Sequence, residues 1–272
     1  MFKKLLLFAV VLTLSSMTLA QRKTQREALD EQPSAVGNAT ATCEVTFSSG
    51  TGTNATQFCV TANGNIAQFS VDGLEMIAVG AIGEGYALCD VSSSIAYYDY
   101  AYEDSGNWGS PTFSQSGNIV TITRLTSDGI WQLKQTITNV PATTTAPASA
   151  KVSMALKNLS GVSRYAILWR YADVDADGDI TGNDFDFTSQ TAYGLEPGFG
   201  RGLGITNNTF NLKFPVDQNS YVQAGYAGPA PCSTYGNVAV QPFHNDGSIV
   251  QFWYFLAQHN VANTVVSTYK PI

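Results

Sequence analysis

From Ile130 to Thr138 the chain alternates. Trp131, Leu133, Gln135 and Ile137 fall on one side of an extended strand, and Gln132, Lys134, Thr136 and Thr138 on the other. A two-residue period suits a half-buried strand, because a helix would scatter those side chains around its axis. Asp128-Gly129 just before it is a turn that pairs it with Asn118–Leu125. Asn63-Gly64-Asn65 plays the same part between Gln57–Thr61 and Ile66–Ser70. Further strands are expected at Lys151–Lys157, Ser163–Tyr171, Asn211–Phe214, Ser248–Ala257 and Asn263–Tyr269. No segment holds a helical period for more than about two turns. Such a chain folds as an all-β protein, an antiparallel β-sandwich on a scale that extends to a large supersandwich.

Met1–Ala20 reads as a signal peptide: Lys3 and Lys4, the apolar run Leu5–Leu14, then Thr18-Leu19-Ala20 for cleavage. That run is shorter than the roughly 20 residues a membrane span needs. Residues 21–41 are polar and form a flexible leader, and residues 42–272 form a single β-sandwich domain, with Pro141–Pro147 as a surface loop inside it. A secreted chain, extracellular or periplasmic, can keep disulfides. Four cysteines allow three pairings. Gly50-Thr51-Gly52 between Cys43 and Cys59 favours a hairpin staple there, leaving Cys89 with Cys232.

The formal charge is −7, and loss of Lys3 and Lys4 takes it to −9. Without a basic run the chain has no means of neutralising nucleic-acid phosphates. Its acids cluster instead. Asp173, Asp175, Asp177, Asp179 and Asp184 stand in one stretch of twelve residues, with Gly178 at the sixth place. Close carboxylates repel by about 1 kcal/mol per pair even at the dielectric of water, a cost that a divalent cation turns into attraction. The stretch resembles the calcium loop of EF-hand and dockerin proteins. The resemblance implies Asp173, Asp175 and Asp177 as side-chain ligands, Asp179 through its carbonyl, and Asp184 as the last ligand. It covers these 12 residues alone. Its final acid is Asp, and its flanks read as strands rather than helices, so helix-pair switching does not carry over. Arg170-Tyr171-Ala172 and Asn183–Phe187 are also similar to loops of uncharacterised secreted bacterial β-proteins. Ca2+, in a structural role, is the ion expected. Phe185 and Phe187 are expected to enter the core.

Tyr98, Tyr100, Tyr102 and Trp108 lie beside Asp99, Glu103, Asp104 and Asn107. In an extended chain the three tyrosines share a face, an arrangement suited to stacking on sugars while polar neighbours read the hydroxyls. Trp131, Trp169 and Trp253 are expected in the core. No nucleophile elbow, H-E-x-x-H or C-x-x-C is present. His244 and His259 read as surface residues, and Gly198–Gly204 as a bulged strand or a close backbone approach. The sequence therefore predicts a secreted, calcium-stabilised β-sandwich that binds a polysaccharide or other glycan, or acts at the cell surface, and leaves open whether it is an enzyme, with the balance toward a binding protein. The alternatives are a polysaccharide lyase or glycosidase, for which no catalytic residue can be named, and a self-associating subunit of an extracellular assembly. Asn38, Asn54, Asn158 and Asn207 head glycosylation sequons.

Overall fold

The computed structural model describes residues 41–52, 55–79, 83–179, 181–198, 200–209, 220–224, 230–232 and 241–272. The signal peptide, nearly all of the leader, the strand expected at 211–214, and Asn38 and Asn54 lie outside them. The chain runs through β1 (Cys43–Ser49), β2 (Thr56–Thr61), β3 (Ile66–Val71), β4 (Leu74–Glu75), β5 (Glu84–Asp90) and β6 (Ile95–Asp99). It continues as β7 (Thr112–Ser116), β8 (Ile119–Leu125), β9 (Trp131–Val140), β10 (Ser149–Asn158), β11 (Arg164–Asp173) and β12 (Asp184–Phe187). Then follow β13 (Thr191–Glu196), β14 (Arg201–Asn207), β15 (Ser220–Ala224), β16 (Phe243–His244), β17 (Gly247–Ala257) and β18 (Ala262–Pro271).

Three antiparallel sheets result, and the chain is an all-β sandwich. The first is β1-β2-β3-β4, the second β16-β12-β13-β14-β18-β10-β9-β8-β7, and the third β15-β17-β11-β5-β6. Among the described residues there is no helix long and apolar enough to cross a membrane. One core lies between the nine-stranded sheet and the inner face of the five-stranded one. It joins Trp131, Leu133 and Ile137 to Leu168, Trp253 and Phe255, and the four-stranded sheet adds Phe58, Ile66 and Phe69. Phe185 is buried in this core and Phe187 packs against it.

Both turn signals are met. Gly64 sits at φ 93° between β2 and β3, and Gly129 at φ 70° between β8 and β9. The glycine series of β14 is a close approach without a bulge. A Cβ on Gly202 would stand 2.0 Å from the Gly194 carbonyl oxygen of β13. Both expected disulfides form, Cys43–Cys59 and Cys89–Cys232.

Two sequons are closed off. Asn158 is fully buried, and its side-chain amide donates to the Val162 and Ala257 carbonyls at 2.7 and 2.9 Å. Asn207 accepts from Trp253 Nε1 at 3.2 Å. Expression in a glycosylating host should therefore give a folded fraction with no glycan at either position by peptide mass spectrometry. A glycan found there on folded protein would contradict this packing.

Candidate functional site

Strand β11 carries different chemistry on its two sides. Ala166, Leu168, Arg170 and Ala172 point into the sandwich. Ile167, Trp169, Tyr171 and Asp173 point to the outer face of the five-stranded sheet. Trp169 is buried as expected, but in the outer cluster rather than the main core.

On the inner side, fully buried Arg170 meets fully buried Glu84 at 2.6 Å and donates to the Tyr269 hydroxyl at 2.8 Å. It also donates to Gln135 Oε1 at 2.7 Å and the Gly64 carbonyl at 3.2 Å. Burial pushes the Glu84 carboxyl up from the usual range, against the pull of Arg170. Nothing here faces solvent, so this network holds strands together. Beside it Arg124 pairs with Asp99 at 2.5 Å and donates to the Tyr86 hydroxyl at 2.9 Å.

The four residues expected to grip sugar do not form one platform. β6 ends at Asp99, and Ala101 takes a positive φ of 68°, so the alternation stops. Trp108 is a core residue, 5.6 Å from Tyr86 and edge-on to it, with Arg124 over its ring. Tyr100 is buried against Tyr171. Tyr98 remains half-buried, stacked 5.0 Å from Tyr100 with its hydroxyl donating to Glu103 at 3.1 Å, and Tyr102 is also half-buried.

Along the outer face, Tyr98 and Tyr254 flank the buried cluster of Trp169, Tyr171, Tyr221 and Phe252. Tyr165 stands on the same face, 43% exposed and stacked on Tyr254 with centroids 5.7 Å apart. The Cys89–Cys232 bond is attached to the same face.

At the Asp173 end the carboxylates converge. One oxygen from each of Asp173, Asp175 and Asp246 lies within 4.8 Å of the others. Burial, then the charges of Asp246 and Asp179, push the Asp175 carboxyl up to about 7. Three acids crowded this way could hold a metal ion. The other three candidate ligands point elsewhere. Asp177 is exposed within a 3₁₀ turn over Ala176–Gly178. The Asp179 carbonyl, the atom expected to serve a cation, accepts from the Asn183 side-chain amide, and its carboxylate accepts from the Thr181 and Gly182 amides at 2.8 and 3.0 Å, which lowers its pKa. Asp184 is 2.7 Å from His244 Nδ1. Asp246 was hidden from sequence reasoning. Its signal is the Asn245-Asp246-Gly247 turn, and no local spacing links that turn to Asp173.

No family model matches the sequence, and comparison with curated proteins finds no match. Among solved structures, a bacterial glucoamylase complexed with acarbose is similar, with a TM-score of 0.58 and 10% identity over 86% of this chain. The match takes in 32% of that enzyme, so the chain spans about a third of its length. A galactose mutarotase related enzyme from Lactobacillus acidophilus gives a TM-score of 0.49 at 5% identity, over 84% of this chain and 97% of that one. Heparan sulfate lyase HepC from Pedobacter heparinus gives 0.47 at 12%, over 83% and 34%. At these identities the likeness concerns the fold alone.

Proposed function

We propose that this chain is a secreted, calcium-stabilised β-sandwich that binds carbohydrate on the outer face of its five-stranded sheet. The observation that carries the reading is the set of partly exposed tyrosines on that face: the stacked pair Tyr165 and Tyr254 and, on β6, Tyr98 with Glu103 beside it. Flat amphipathic rings cover the apolar face of a sugar, and their hydroxyls serve its polar edge. The glucoamylase-like fold supports the reading without specifying a ligand. The acidic corner supports a cation, and an all-oxygen donor set in an irregular loop favours Ca2+ over Mg2+. Its place at the end of β11 suits a brace for the tyrosine-bearing face. The disulfides and the apolar N-terminal run support export.

The test is a glycan array on the chain from Gln21 onward, in calcium and in chelator, with analysis of any products. One class of polysaccharide should be retained without turnover, and Tyr165→Ala should weaken retention about tenfold, roughly 1.4 kcal/mol. Released product would favour a lyase or glycosidase. Absence of both binding and product would end the carbohydrate reading.

A further inference from the structure

We propose that the cation of the acidic corner is held between two distant chain segments rather than by one loop. Asp173 and Asp175 come from the end of β11, and Asp246 and Ser248 from the turn into β17. The assignment rests on the reading that this corner takes a cation, and it names a donor set that the twelve-residue pattern does not contain.

Five observations support it. Ligand oxygens about 2.3–2.6 Å from calcium are at most about 5 Å apart, and the three carboxylates meet that limit at 4.8 Å. Asp173 and Ser248 are direct cross-strand partners, so both side chains stand on the outer face. Ser248 is fully buried, and its hydroxyl oxygen makes no well-formed hydrogen bond, the Tyr171 hydroxyl being its polar neighbour, which leaves a neutral donor beside the acids. The Tyr171 hydroxyl contacts Ser248, and the charges of Asp173 and Asp246 both reach it. The backbone closes the same junction, since the Val174 amide, between the two β11 aspartates, donates to the Gly247 carbonyl at 3.2 Å. Asp179 and Asp184 are engaged elsewhere, and Asp177 is turned to solvent.

Terbium, a luminescent stand-in for calcium, tests the assignment on the chain from Gln21 onward, with Tyr171 and Trp169 as the nearby sensitisers. Wild type should bind one equivalent, displaced by calcium. Asp246→Asn should weaken binding at least 100-fold and Ser248→Ala about three- to tenfold. Asp177→Asn and Asp184→Asn should change it less than twofold. Near-UV circular dichroism in chelator checks that Asp246→Asn is folded, as expected when one of three repelling carboxylates is neutralised. Loss of binding in the Asp177 and Asp184 variants, with Asp246→Asn unaffected, would overturn the two-segment site and leave the calcium reading standing. No binding of terbium or calcium by wild type would overturn both.

Discussion

Arg170→Met should lower the unfolding free energy by about 3–5 kcal/mol, the usual cost of stranding one member of a buried ion pair. Glu84 would remain fully buried, with the Tyr269 hydroxyl and the Ile66 amide as donors but no cation. The Gly64 carbonyl and Gln135 Oε1 would also lose the donor that Arg170 supplies. Set against a typical total of about 5–15 kcal/mol, this is a large share. Glu84→Gln combined with Arg170→Met should cost clearly less than Arg170→Met alone, because no charge is then left unpaired. Urea unfolding at pH 7 measures all three proteins. A loss below about 1 kcal/mol for Arg170→Met would show that Glu84 is already protonated in the fold and that the pair carries little charge.

In chelator, Asp175 should make the chain less stable at pH 8 than at pH 5. Its carboxyl titrates near 7 in the fold, against 3.8 for an ordinary Asp. Between those values the folded protein holds a proton that the unfolded chain has released. Stability from this group is thus fully present below about pH 4, falls as pH rises to about 7, and is level above that. A shift of about three units corresponds to about 4 kcal/mol at most, and partial exposure of the group brings the expectation to about 2–4 kcal/mol. Asp175→Asn should remove this group's share of the difference, leaving what buried Glu84, Asp99 and Glu75 contribute, and calcium should restore wild-type stability at pH 8. Parallel pH profiles for wild type and Asp175→Asn, each measured by urea unfolding, would show that the carboxyl bears no such burden.

What could be read from the sequence was local. Asn63-Gly64 and Asp128-Gly129 announce their hairpins because positive φ at a fixed place is a one-residue requirement. The alternation of β9 names its buried face because a strand's two sides are set by neighbouring residues. The disulfide between Cys43 and Cys59 follows from a short loop with turn residues, and the second then follows by elimination. The acidic stretch was visible, but its chemistry was only half local. Asp173 and Asp175 find Asp246 across a strand pairing that no spacing rule encodes. Trp108 illustrates the opposite limit. Its polar neighbours suggested a surface, yet Tyr86, Tyr97 and Arg124 arrive from other strands to enclose it. The Arg170–Glu84 pair was illegible for the same reason, since each lies in an apolar run where burial depends on the facing sheet.

The nine-stranded sheet has a seam. β18 lies between β14 and β10, joining the group β16, β12, β13 and β14 to the group β10, β9, β8 and β7. It is translated after every strand it unites. Until residues 262–271 have left the ribosome, the two groups lack their shared neighbour and Glu84 lacks the Tyr269 hydroxyl. Completion of this sheet is therefore a late, long-range event, of the kind that slows folding.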